Sequence, residues 1–316
     1  MATTLTDMIN EVSMNLSGYT LTQDRSTYLR TAVTAVASSS ASPTTLSLGS
    51  TDNVGKGIVE IDEELLWIDT YDRVGNTATV APYGRAYLGT TLAAHAVDAK
   101  VTISPTFPRF SIKRAINDTI NAIGSSIFAA DTTTITSNAA VAAFRLPATG
   151  DSLKIRNVLS VAYQSIGASK EWIPIRSWRL DNNANTTAFT SGQTISIYDV
   201  VPSGRTIQIV YSKLPSQFAE LATLALTNAQ EFPTQTGLPE SCKDLVILGA
   251  TYRLLSNLDP ARASMVSPQA DEVDNKRPYG SSQSLTKQVY ALYSQRLAEE
   301  IKSQQDKYPI RVHYSL

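Results

Sequence analysis

A single cysteine, Cys242, gives the chain no means of forming an internal disulfide, and two histidines leave little from which to build a metal site. Both scarcities suit a reducing cytoplasm. Charge is also scarce: Asp, Glu, Lys and Arg make up 17% of the 316 residues, against about a quarter in an ordinary soluble domain. The 27 basic residues nearly cancel the 28 acidic ones, so no global field marks nucleic acid or an anionic membrane as the main partner. No apolar run approaches the ~18 residues of a membrane span, and MATTLTDMINEV lacks the basic and apolar regions of a secretory signal. Enzyme signatures are missing as well. Neither a phosphate-cradling GxxxxGK[ST], a dinucleotide GxGxxG, a GxSxG elbow nor an HExxH occurs.

What the chain does have is helical stripes at wide intervals. Between Pro108 and Phe128, Ile112, Ile116, Ile120, Ile123 and Ile127 step by four, four, three and four, which places them on one helical face. Arg109, Lys113, Arg114, Asn117, Asp118 and Asn121 fill the other positions, so this helix is expected to lie on a core with its polar side in solvent. Related stripes are Leu5, Met8, Ile9, Val12 and Leu16; Leu245, Leu248, Tyr252 and Leu255; and Leu285, Val289, Tyr293, Leu297 and Ile301. The sequence between them is β-like. Ile58 to Ile61 and Leu65 to Ile68 read as strands around an acidic turn, followed by Thr77 to Val80 and Lys100 to Ser104. A second β-region holds six short strands between Thr132 and Tyr211, separated by PATGD, DNNANT and VPSGR.

These patterns predict an α+β fold: a discontinuous helical bundle, built from helices 4–17, 108–128, 239–257 and 284–307, carrying two antiparallel β insertions. The bundle takes residues 1–18, 106–130 and 214–307; a small meander or barrel takes 19–105, and a sandwich-like module 131–213. Its predicted core is Ile112, Ile116, Ile120 and Ile123 with Leu245, Leu248, Tyr252 and Leu255. Residues 308–316 form an extended tail.

Candidate sites are few. His95, in GTTLAAHAV, reads as a structural side chain beside a strand edge. Asp62, Glu63 and Glu64 occupy a predicted turn and read as a solvated hairpin tip rather than as acid/base carboxylates. Cys242 has no histidine placed to activate it and reads as a buried small residue. Arg109, Lys113 and Arg114 form a basic patch suited to a subunit contact. Lys170, Arg176 and Arg179 interleave with Trp172 and Trp178, the pattern of a strand with one wet and one buried face. In the tail, Ile310, Val312, Tyr314 and Leu316 alternate with Arg311, His313 and Ser315. The segment from Tyr308 is either a frayed end or a strand that pairs with a partner's sheet edge. No catalytic, cofactor-binding or metal-ligating residue is predicted.

Three stretches together resemble a known family. GIVEIDEELLWIDTYD, continuing to YGRAYLGTTLAAHAVDAKVTISP, is similar to a β-module of tailed-bacteriophage virion proteins, in which a Gly-Thr-Thr, an Ala-rich step and a His precede a strand. FPRFSIKRAINDTINAI and LPESCKDLVILGATYRLLSNLDPAR resemble two helices of phage head-to-tail adaptor, or connector, proteins. Gly84-Arg85 reverses the Arg-Gly of that pattern, and the second β-region lies outside it. The resemblance implies a non-enzymatic structural protein of the virion neck, assembled in the host cytoplasm into a ring of about twelve copies. Such a ring joins the portal protein to a tail, stopper or terminator protein and lets genomic DNA pass through its lumen without specific binding. It uses no cofactor and no membrane, and the tail residues Tyr308, Ile310, Arg311, Val312, His313 and Tyr314 would engage the portal. The alternative is a tail or baseplate protein whose second β-region binds host-surface carbohydrate.

Overall fold

The computed structural model of the chain describes residues 3–20, 24–35, 42–138, 140–141, 143–146, 155–166, 170–221, 223–256 and 281–309. Among these, thirteen strands form three antiparallel sheets. Six α-helices accompany them: α1 (Leu5–Thr20), α2 (Arg109–Ile123), α3 (Leu224–Asn228), α4 (Phe232–Thr236), α5 (Lys243–Leu255) and α6 (Ser281–Lys307). The protein is therefore mixed but β-rich, which overturns the predicted helical bundle with β insertions. A helical stripe reports that one face is buried, not what buries it, and a sheet satisfies an apolar face as well as a second helix does. By internal contacts the chain divides into two compact units: Asp7–Ile116 with Ile247–Tyr290, and Met1–Thr6 with Asn117–Val246 and Ala291–Leu316.

The first unit holds a six-stranded sheet of β1 (Arg25–Tyr28), β2 (Thr44–Ser47), β3 (Gly57–Ile61), β4 (Glu64–Asp72), β5 (Thr77–Val80) and β6 (Lys100–Ile103). Its order is β1-β6-β3-β4-β5-β2. The sheet curls until its edges meet at a Leu29–Leu48 bridge, flanked by Arg30 N–H to Ser47 O (2.8 Å) and Gly49 N–H to Tyr28 O (2.8 Å). Gly49 makes that closure feasible, because a Cβ there would collide with the Tyr28 ring. Alternate residues fill the interior, among them Leu46, Val59, Ile61, Leu66, Ile68 and Val101. Asp62 and Glu63 alone connect β3 to β4, with Asp62 in the left-handed region (φ 58°), which Asp tolerates better than most residues.

The second unit pairs a four-stranded sheet with a three-stranded one. The first has the order β10 (Trp172–Pro174), β9 (Asn157–Gln164), β13 (Thr206–Lys213), β7 (Ala129–Thr136). The second has the order β11 (Trp178–Asp181), β12 (Thr194–Ile197), β8 (Ala143–Arg145). Both sheets contribute to one core, with Val161, Ile207 and Ile209 from the larger and Ile195 from the smaller. On β11, Trp178 and Leu180 face this core while Arg179 and Asp181 are exposed; Trp172 on β10 lies in solvent.

Of the predicted helical core, Ile112, Ile116, Ile120 and Ile123 are buried, as are Leu245 and Leu255. Leu248 and Tyr252 are only half-buried. Val246, Ile247, Ala250 and Thr251 are buried in their place, because α5 is apolar over most of its circumference and one stripe does not capture its inner face. On α6, Val289 and Tyr293 are buried, while Leu285, Leu297 and Ile301 are half-buried.

Candidate functional site

Charged residues cluster at one end of the barrel. Glu64 opposes Ile61 across the β3–β4 hairpin and shares its face with Leu66 and Ile68, so strand alternation turns its carboxylate toward the interior. A carboxylate there is tolerable only if fully hydrogen-bonded. Arg85 provides a bidentate pair, Nε to Oε1 at 2.7 Å and Nη2 to Oε2 at 2.9 Å, with the two side chains 1% and 0% exposed. The backbone N–H of Ala86 (2.9 Å) and of Ala93 (3.0 Å) and His95 Nε2 (2.9 Å) complete the shell. Arg85 also donates to the carbonyls of Ala93 (2.7 Å) and Thr34 (3.3 Å).

His95 connects this pair to the hairpin turn. Its Nδ1 lies 2.8 Å from Asp62 Oδ2 while its backbone exchanges two 2.8 Å hydrogen bonds with Val33. With a carboxylate at each ring nitrogen, the protonated imidazole can donate at both. Burial alone would lower its pKa, but the hydrogen bonds and charges of Asp62 and Glu64 outweigh that and raise it. Burial would likewise raise the Glu64 carboxyl; the donors from Arg85, His95, Ala93 and Ala86 reverse this and hold it at about 2.

The segment this clasp restrains is strained. Tyr83 (φ 59°), Ala86 (φ 51°) and Leu88 (φ 55°) all lie in the left-handed region, at roughly 1–2 kcal/mol each. Gly84 between them cannot be replaced without displacement, since a Cβ would lie 2.8 Å from Ala81 O and 2.9 Å from Trp67 O. Thr90 Oγ1 accepts the Leu65 N–H (3.1 Å), and the Trp67 and Tyr87 rings pack at 5.4 Å. The result is a fixed loop that turns Tyr83 (74% exposed) and Leu88 (65% exposed) outward.

The same hairpin anchors α2. Glu60 accepts the Arg109 N–H at 2.6 Å at the start of the helix, and burial pushes its carboxyl up to about 7 despite that donor. Glu63 pairs with Lys113 at 2.9 Å, both buried, and Arg109 donates to Asn10 (2.9 Å). Of the acidic turn only Asp62 is exposed, as a solvated tip would have it; Glu63 and Glu64 are buried and partnered. Nor is the basic patch on α2 an open surface. Lys113 is buried in its ion pair, Arg109 is half-buried, and Arg114 alone of the three is exposed. Missing from the sequence reading was the complement. Arg85 and His95 are the only charged or titratable-cationic residues in APYGRAYLGTTLAAHAV, which has no acidic residue of its own. The carboxylates of IDEELLWI sit between apolar residues of a buried strand and require such partners.

Elsewhere, Cys242 is buried, and burial together with Glu300 pushes its thiol up to about 12, the opposite of an activated nucleophile. Tyr308 is half-buried with its ring 5.8 Å from that of Phe128. Ile310, Arg311, Val312, His313 and Tyr314 lie outside the described residues. Among the described residues no helix is long and apolar enough to cross a membrane, and no three His, Cys, Asp or Glu side chains are grouped to hold a metal ion. Compared with protein families and with curated proteins, the chain matches none.

Proposed function

We propose that the chain is a structural protein of a tailed-bacteriophage neck, forming a ring that joins portal to tail and extends the DNA channel. The observation that carries this reading is the use made of the segment resembling the phage β-module. Thr90, Ala93 and His95, from its Gly-Thr-Thr, Ala-rich step and His, all bond to β4 or to the Glu64 carboxylate on it. They hold a loop in place; Glu64, enclosed by five donors, has no lone pair to offer a substrate. A closing ring requires two different complementary faces on each subunit. A rigid loop presenting Tyr83 and Leu88 is the kind of fixed apolar knob one such face needs.

Electron microscopy of the purified protein, alone and mixed with a purified portal, tests the reading. Closed rings stacked coaxially on portal particles are expected. A trimeric spike that binds host cells and ignores the portal would replace this function with the carbohydrate-binding alternative. Tyr83→Asp combined with Leu88→Asp is expected to lower ring yield at least tenfold while leaving the melting temperature within a few degrees, read by light scattering and circular dichroism.

A further inference from the structure

In the second unit, β9 is covered unevenly. On one side β13 pairs with it from Asn157 to Tyr163, whereas on the other β10 reaches only Ala162–Gln164. Beside Asn157–Ser160, among the described residues, no strand occupies the β10 side. A cavity of about 670 Å³ lies along that stretch. Its apolar wall includes Phe128, Val158, Trp178, Leu180, Ile301 and Tyr308, all half-buried and so available to be covered further. Lys307 is the one charged residue in the lining.

The wall formed by the end of α6 is fixed in place. Gln304 makes both amide hydrogen bonds to the backbone of Phe128, accepting from its N–H (3.1 Å) and donating to its C=O (2.7 Å), and Tyr308 packs on the Phe128 ring. The described chain stops at Pro309, itself a lining residue, and seven residues follow, Ile310–Leu316. Extended, they reach ~23 Å at ~3.3 Å per residue, more than the open edge Val158–Ser160 requires. Their period-two pattern gives one apolar face of Ile310, Val312, Tyr314 and Leu316. A volume of this size suits a few inserted side chains rather than a whole peptide.

We propose that Ile310–Leu316 folds back within its own chain and adds as a short strand to the open edge of β9, placing alternate apolar side chains in this cavity. The inference goes beyond the neck reading and stands without it. Asn157 is held on the β13 side, its N–H donating to Ser212 Oγ (3.1 Å) and its C=O accepting from it (3.2 Å), so main-chain hydrogen bonds within Val158–Ser160 supply the docking, and the cavity wall selects apolar side chains at every second position. Any partner that takes the segment must compete with this site.

The test compares the full-length protein with a full-length variant carrying Ile310→Asp and Val312→Asp, using the synthetic peptide IRVHYSL as probe. The peptide is expected to bind the variant saturably and to bind the wild type at least tenfold more weakly, because the site is already filled. Amide exchange within 158–160 is expected to be at least tenfold faster in the variant, with the rest of the unit unchanged. Equal binding to both proteins, binding to neither, or unchanged exchange overturns the proposal. Protection that depends on protein concentration also overturns it, in favour of the segment from a second copy. Both proteins keep the whole chain, and ring formation and portal binding are not read, so failure here is distinguishable from failure of the neck reading.

Discussion

Glu64 carries five hydrogen bonds and a carboxyl held at about 2, against 4.5 for an unperturbed glutamate. That lowering stabilises the fold at pH values above about 4.5, and the contribution is lost as pH falls toward 2. His95 acts in the opposite sense. Its pKa is raised from 6.5, so its contribution is complete below that value and is lost as pH rises through the raised one. Glu60, pushed from 4.5 up to about 7, favours folding while protonated and costs stability as pH rises through that window. Melting temperature is therefore expected to peak at about pH 4.5–5 and to fall as pH rises toward 7; a maximum above pH 8 would contradict these assignments. Glu60→Gln, which keeps an acceptor for the Arg109 N–H, is expected to stabilise at pH 8 by on the order of 2 kcal/mol and to change little at pH 5. Glu64→Ala strands Arg85 and is expected to cost roughly 3–5 kcal/mol in denaturant unfolding. At this scale the sequence is easily misread. A run such as Asp62-Glu63-Glu64 suggests solvent until its distant partners Arg85 and His95 are placed beside it, about twenty to thirty positions later in the chain.

Elements were more legible than their surroundings. The isoleucine stripe of α2 is buried at Ile112, Ile116, Ile120 and Ile123, and the strands read at 58–61, 65–68 and 77–80 lie within β3, β4 and β5. Periodicity captures these because it depends on local geometry alone. It failed for α5, where Leu248 and Tyr252 are half-buried and Val246 and Ile247 are not on the chosen stripe. It also failed on the polar side of α2, where Lys113 is buried against Glu63 fifty positions away. Nothing in the helix itself announces that contact. The loop from Tyr83 to Leu88 was equally silent, since its left-handed residues are Tyr, Ala and Leu rather than the glycines that signal such turns. Gly84→Ala is expected to destabilise by about 1–3 kcal/mol, because the atoms a Cβ would meet are backbone carbonyls of Ala81 and Trp67 that cannot swing aside. A variant as stable as the wild type in thermal melts would mean the loop is less constrained than its contacts indicate.

At the scale of the whole molecule the strongest local signals pointed away from the frame. Four apolar helical stripes suggested that helices form the body and strands the additions, whereas the described chain is mixed and β-rich, with three antiparallel sheets beside its helices. Individual strands here are mostly three to nine residues long and carry weak signals, and their sum becomes visible only through pairings such as the Leu29–Leu48 closure. The neck function we propose rests on the resemblance of the clasp-building segment and of two helical stretches, not on how those helices pack. The most direct measurement is the number of copies bound per portal ring, by mass photometry of portal titrated with the protein. The account predicts saturation at a fixed stoichiometry that matches the portal's own symmetry. No association at concentrations where the protein is folded, or binding without a fixed stoichiometry, would contradict it.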